Sequence, residues 1–241
     1  MKAVEFGQGP VIVLLHGGGL SWWSYREAAQ ILAERYHVVI PFLDGHAGSD
    51  RDFTSIADNA RAICEYVKDR FGGHVYAMGG LSLGGQILVE LLSQCPDICQ
   101  LALIESALVL PMPMTHALVG PSVKMSYGLI RRRWFARLQF RQLRLKEDCF
   151  EDYYRDSCCI TRENMISFLE SNSAYRVKDT LKDTRARVII VVGGKEQQIM
   201  KKSSKLLHGM LPNSQLYILP GLYHGEFSMK HPADYAAMLE K

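Results

Sequence analysis

The stretch from Val75 to Leu92 constrains the fold of this 241-residue chain more than any other. Val75-Tyr76-Ala77-Met78 is a short apolar run, Gly79-Gly80-Leu81-Ser82-Leu83-Gly84-Gly85 is crowded with glycine, and Gln86 to Leu92 is amphipathic. The order reads strand, sharp turn, helix. Gly80 and Gly84 stand two residues to either side of Ser82. A serine lifted on such a turn needs neighbours without a Cβ there, because the flanking backbones come too close. The turn also aims the Leu83 amide at whatever Ser82 attacks, near the positive end of the following helix. The alternative is an ordinary serine in a glycine-rich turn, and it leaves the strand before and the helix after unexplained.

A second stretch supports the first. Val11-Ile12-Val13-Leu14-Leu15 is a continuous apolar run, as expected of a strand buried on both faces. It leads into His16-Gly17-Gly18-Gly19. Glycines at the carboxyl end of a central strand let the backbone approach a ligand and expose an amide to it. On these two stretches the chain resembles the α/β-hydrolase superfamily, over nearly its whole length. That resemblance implies an oxyanion hole with one N–H from the residue after the nucleophile and one from the His-Gly segment. By motif position these are Leu83 and Gly18, with Gly19 adjacent.

Hydrophobic residues at 48% and charged residues at 22% suit one sizeable globular domain, with room for an inserted subdomain. No apolar run approaches the roughly 20 residues needed to cross a bilayer. Met1 to Phe6 has no signal-peptide core and soon enters a strand. Cys64, Cys95, Cys99, Cys149, Cys158 and Cys159 form no Cys-x-x-Cys pair and have no His nearby at zinc spacing. Free thiols, several of them buried, in a cytoplasmic protein are therefore expected.

Along the chain, Ser24 to Arg35 reads as a helix with Ser24 as N-cap. Trp22 and Trp23 before it are either walls of a site entrance or, as large aromatics more often are, core. Val38-Val39-Ile40 is the second strand, closed by Pro41. Asp44-Gly45-His46-Ala47-Gly48-Ser49-Asp50 is similar to a structural turn of the superfamily, so His46 is read as structural rather than as a base. Helix Thr54 to Asp69, the Ser82 strand and helix, and a strand Leu101 to Ile104 ending in Glu105-Ser106 follow. Strands Val188 to Val192 and Gln215 to Leu219 alternate with helices Met200 to Met210 and Pro232 to Glu240. This alternation points to an α/β fold with a doubly wound, mostly parallel sheet. The family order would be 2-1-3-4-5-6 for these six strands. Relatives usually carry an additional strand or hairpin first, and with only ten residues available here a shorter sheet edge is expected. Residues 1–107 and 184–241 form the core, and 108–183, helical and without a clear strand, resemble the helical cap that relatives insert at this point.

A serine hydroxyl needs a histidine to take its proton. His224, in Pro220-Gly221-Leu222-Tyr223-His224-Gly225 just past the last strand, stands where the superfamily puts that base, while His208 and His231 read as surface residues. The third member must be a carboxylate, and relatives supply it in a Gly-x-x-Asp pattern after the next-to-last strand. No aspartate lies between Asp183 and Asp234. Glu196 occupies the position, and Glu105 at the end of the fourth strand is its rival. From Arg131 to Lys146 there are seven basic residues and no acidic ones, in a chain whose net charge is +3. A solvated helix face, partly paired with Glu147, Asp148, Glu151 and Asp152, is one reading; an anionic head group, an acidic carrier or a membrane surface are the others. Met112, Met114 and Met125 suggest either a pliable wall for an acyl chain or core of the cap.

The resemblance implies a serine hydrolase, foremost a carboxylic-ester hydrolase working through an acyl-enzyme on Ser82. Thioesterases, amidases, carbon–carbon bond hydrolases and acyltransferases use the same machinery, and a ligand-binding protein on this fold is the rival from another class. No metal or organic cofactor is implied. The expected partner is a small-molecule acyl ester, not nucleic acid, with no stable membrane insertion.

Overall fold

A computed structural model describes residues 1–240. The elements follow in the order β1 (Ala3–Phe6), β2 (Val11–Leu15), α1 (Arg26–Leu32), β3 (His37–Pro41), α2 (Ile56–Phe71), β4 (Val75–Leu81) and α3 (Leu83–Gln94). After β5 (Cys99–Glu105) come four helices, α4 (Pro113–Ile130), α5 (Arg133–Gln142), α6 (Phe150–Ser157) and α7 (Arg162–Ala174). The chain closes with β6 (Arg187–Gly193), α8 (Gln198–Met210), β7 (Ser214–Leu219), α9 (Glu226–Lys230) and α10 (Pro232–Leu239).

One sheet carries all seven strands, in the order β1-β3-β2-β4-β5-β6-β7. From β3 to β7 every pairing is parallel, which is the 2-1-3-4-5-6 order of the six expected strands. The ten leading residues do supply one further strand at the edge. β1 lies antiparallel on β3, pairing Ala3 with Pro41 and Phe6 with Val38. Four residues suffice for this strand because it needs only one neighbour.

Strand periodicity sorts the core into two layers. Val13 and Leu15 of β2 point with Met78 into the layer beneath α2 and α3. Ile12 and Leu14 point the other way, with Ala77 and Leu103, into the layer beneath α1 and α10. A strand packed on both faces has no polar side to show, hence the unbroken apolar run.

Helix α2 begins where Ser55 Oγ accepts the Asp58 amide at 3.0 Å and ends at Gly72, whose φ of 71° is the left-handed C-terminal stop. Ser24 is not an N-cap. A 3₁₀ turn at Trp22–Tyr25 precedes α1, and Ser24 Oγ donates back to the Ser21 carbonyl at 2.8 Å. Trp23 is core, and its Nε1 donates to Asp156 Oδ2 at 2.9 Å.

The cysteines are not all free. Cys64 of α2 and Cys95, just past α3, form a disulfide across 31 residues, because these helices pack side by side on one face of the sheet. Cys99, Cys149, Cys158 and Cys159 are free. Among the described residues no helix is long and apolar enough to cross a membrane.

The helices between β5 and β6 do not stand apart from the sheet. Ile160 and Phe168 belong to the α2–α3 layer, and Phe140, Phe150 and Tyr153 to the α1–α10 layer. Asn164 Oδ1 accepts the Phe53 amide at 2.8 Å, Asn172 Nδ2 donates to Gln86 Oε1 at 2.7 Å, and Gln86 Nε2 donates to the Asn172 carbonyl at 2.9 Å. Met114 and Met125 are 82% and 84% exposed, so they are neither core nor the wall of a cavity, contrary to both expectations. Their helix turns only Val119, Gly120, Val123 and Ile130 inward.

Candidate active site

Ser82 sits between β4 and α3 at φ 54° and ψ −113°, a conformation sparsely populated by residues with a Cβ. The turn is fixed from both sides. Ser82 N donates to the Glu105 carbonyl of β5 at 2.9 Å, and the Gln86 amide donates to the Ser82 carbonyl at 2.9 Å. The flanking glycines are required by contact. A Cβ on Gly80 would lie 2.5 Å from the Gly84 carbonyl oxygen, and one on Gly84 would lie 2.1 Å from that of Leu15.

The loop after β2 comes down beside this turn. A Cβ on Gly18 would meet Phe168 at 3.3 Å and Leu83 Cδ2 at 3.5 Å, so the Gly18 backbone and Leu83 are neighbours. Gly19 follows Gly18 at φ 72°. Its amide donates to His46 Nε2 at 3.1 Å and is thereby taken. His46 Nδ1 donates in turn to the Asp44 carbonyl at 3.0 Å. Burial pushes His46 down to about 4 and His16 down to about 3, so both rings are neutral. His16 Nδ1 donates to the Gly17 carbonyl and its Nε2 accepts the Leu43 amide. Both histidines are scaffolding for the glycine loop.

His224 lies in the turn before α9, and its Nδ1 donates to Glu196 Oε2 at 2.8 Å. Glu196 Oε1 accepts from Ser106 Oγ at 2.7 Å and from the Gly193 amide at 2.7 Å. Burial alone would raise the Glu196 carboxyl. The hydrogen bond and charge of His224, with the Ser106 and Gly193 donors, outweigh it and hold the group below the ordinary carboxylate value. Nδ1 thus carries the proton and Nε2 is left with its lone pair. Glu105 does not reach His224. Its carboxylate accepts the Ser228 amide at 3.2–3.3 Å, and burial, reinforced by the Glu196 charge, pushes it up to about 7.

Ser82 and His224 line one cavity of about 70 Å³, together with Gly17, Gly18 and Leu143. No hydrogen bond joins Ser82 Oγ to His224 among the described residues; in catalytic pairs this contact can tighten only when substrate arrives. His224 and Glu196 also border a larger cavity of about 340 Å³, lined by Met112, Leu143, Ile199 and Met200 and by Arg144 and Lys195. Among the described residues no group of three or more His, Cys, Asp or Glu is placed to hold a metal ion.

Ser106 is a member of this constellation that the sequence did not single out. Its own signal was faint, a hydroxyl at the carboxyl end of a strand, where the ligand face of a parallel sheet lies.

The family model for the alpha/beta hydrolase family matches residues 12–238. Curated relatives include an AB hydrolase superfamily protein of Gibberella zeae, 32% identical over 136 residues, and a pimeloyl-[acyl-carrier protein] methyl ester esterase of Nitrosomonas europaea, 34% identical over 101 residues. These matches take in 56% and 42% of this chain but only 47% and 38% of the relatives, so less than half of each relative is spanned. Similar solved structures include an esterase from Exiguobacterium antarcticum, with TM-score 0.84 and 16% identity over 99% of this chain and 95% of that one. A bromoperoxidase from Bacillus anthracis has TM-score 0.82 and 17% identity over the same shares. At such identities the structures speak for the fold, and the family model speaks for descent. The chain belongs to the alpha/beta hydrolase family.

Proposed function

We propose that the protein is a serine hydrolase acting on carboxylic esters, with Ser82, His224 and Glu196 as its triad. Ser82 Oγ attacks the ester carbonyl carbon while His224 Nε2 takes the hydroxyl proton, and the carbonyl π pair moves onto oxygen. The amides of Leu83 and Gly18 donate to that oxyanion. As the tetrahedral carbon collapses, the bond to the alkoxide breaks and His224 gives its proton to the leaving oxygen. Water then attacks the acyl-enzyme, His224 taking its proton, and the acid departs with Ser82 restored.

Glu196 keeps the imidazole in the tautomer this needs and stabilises the imidazolium. The observation that carries the reading is the 2.8 Å bond from His224 Nδ1 to Glu196, on a histidine that shares its cavity with Ser82. The helical insertion acts as the cap, since Leu143 and Leu145 from it close the cavity over Ser82.

The test is labelling with a fluorophosphonate, followed by peptide mapping, alongside turnover of short-chain esters. Label on Ser82, and loss of both label and turnover in a folded Ser82→Ala variant, is the expected result. Undiminished ester hydrolysis in that variant sinks the reading.

A further inference from the structure

The larger cavity has features that acyl transfer does not use. Arg144, following α5, and Lys195, following β6, both stand on its wall. Both also lie against the Tyr223 ring, Arg144 Cζ at 3.7 Å and Lys195 Nζ at 5.3 Å from its centroid. Neither has a carboxylate partner among the described residues, whereas three other cations of the basic run do. Arg133 pairs with Glu151, Arg137 with Glu147 and Lys146 with Glu27.

The acids close to Arg144 and Lys195 are engaged elsewhere. Glu226 holds Lys230 Nζ at 2.6 Å and the Tyr223 amide at 2.8 Å. Glu196 is filled by His224, Ser106 and Gly193. Two cations therefore face one cavity whose carboxylate, Glu196, is already bonded to His224, Ser106 and Gly193, and an anion between the cations relieves their repulsion.

Shape and chemistry agree with this. Arg144 stands at φ 54°, a region a long side chain rarely adopts, and there its guanidinium carbon lies 3.7 Å from the centre of the Tyr223 ring. Among the described residues its side-chain N–H groups have no hydrogen-bond acceptor, and such a fork suits a planar bidentate carboxylate. Met112, Leu143, Ile199 and Met200 give the rest of the cavity an apolar lining, and His224 stands on the same wall.

We infer that this cavity selects esters that carry a carboxylate, held by Arg144 and Lys195, with the apolar wall taking the carbons between that carboxylate and the scissile bond. The inference rests on the ester-hydrolase reading above. An uncharged ester of the same length makes the apolar contacts and leaves both cations unanswered.

The experiment compares monomethyl glutarate with dimethyl glutarate in the wild type, in Arg144→Gln/Lys195→Gln and in Arg144→Lys, with and without added salt. Glutarate binding is measured by calorimetry on the same proteins. In the wild type kcat/KM favours the monoester by about tenfold or more, the scale of one charge-assisted hydrogen bond. That ratio falls towards one in the double variant, persists in weakened form in Arg144→Lys and shrinks with salt, while glutarate binding disappears with the double substitution. Fluorophosphonate labelling of Ser82 and turnover of the diester report on the hydrolase reading separately. Should turnover be absent, glutarate binding still decides the cavity. A wild-type ratio of one or less, a preference that survives loss of both cations, or no glutarate binding to the wild type overturns the inference.

Discussion

Ser106 Oγ donates to Glu196 Oε1 at 2.7 Å, which leaves Oε2 as the oxygen that His224 meets. The serine comes from the end of β5 and the glutamate from the loop after β6, so the acid is braced by the neighbouring strand. A glutamate has one more rotatable bond than the aspartate usual in this family, and the Ser106 and Gly193 donors hold it to one position. Glu196→Gln should lower kcat by about 10⁴-fold with KM nearly unchanged, because an amide cannot stabilise the imidazolium. Glu196→Asp should lose activity too, since a side chain shorter by one carbon cannot span Gly193, Ser106 and His224 together. Steady-state kinetics on folded variants checks both, and near-wild-type Glu196→Gln activity would falsify the triad.

Glu105 should show itself in stability rather than turnover. Its carboxyl stands at about 7 in the fold against an ordinary 4.5, raised by burial. A raised acid contributes stability that is present below about 4.5 and lost as pH rises through about 7. Glu105→Gln is neutral at every pH and keeps an oxygen for the Ser228 amide. Relative to wild type it should gain about 2.5 kcal/mol between pH 5 and pH 8, at 1.36 kcal/mol per unit. His16 and His46 titrate with the opposite sign, but they are common to both proteins and cancel. Urea unfolding at the two pH values measures the difference, and parallel behaviour of variant and wild type would move the Glu105 carboxyl back to an ordinary value.

Gly84→Ala should prevent the Ser82 turn from forming. Its Cβ would meet three backbone atoms of one segment, Leu15 O at 2.1 Å, Leu15 C at 2.5 Å and His16 O at 2.6 Å, and none of these can rotate away. The expected outcome is insoluble protein, or a folded core without fluorophosphonate labelling. Gly128→Ala, in open space on α4, is the control and should be neutral or mildly stabilising.

The Cys64–Cys95 bond closes a loop of 31 residues. Chain-entropy arguments assign such a loop roughly 3–4 kcal/mol. Cys64→Ser/Cys95→Ser should lower the midpoint of urea unfolding accordingly, and reducing agent should do the same to the wild type. Thiol titration in denaturant without reductant should count four thiols; six would refute the bond.

What the sequence showed well was local. Gly80, Ser82 and Gly84 are within five residues, and the closeness of Gly80 to the Gly84 backbone follows from that spacing, whereas the closeness of Gly84 to Leu15 comes from the pairing of β4 with β2. The buried strands declared themselves because both faces are apolar. That Glu196 would lie near His224 was legible from its place in the chain, helped by the lack of an aspartate nearby. Ser106 was not, because its partner lies 90 residues away and a single hydroxyl carries no pattern. The same holds for Cys64 and Cys95, whose pairing depends on how two helices pack. Ala3–Phe6 was too short for period-two alternation to mark it as a strand. Arg144 was one charge in the basic run and Lys195 carried no signal of its own, and only the fold brings them onto one tyrosine.

Phe168 stands against His46, with ring centroids 4.9 Å apart, and against Gly18, within the core layer that holds the sheet. Helix α7 is therefore a fixed post, and the helices between β5 and β6 cannot swing away from the strands as one lid without opening that layer to water. The short link after α5 is different, because Leu143, Arg144 and Leu145 belong to no helix and touch one or both cavities. Changes of side chain in these three residues can therefore reshape the space in front of Ser82 while the sheet and the helices packed on it stay as they are.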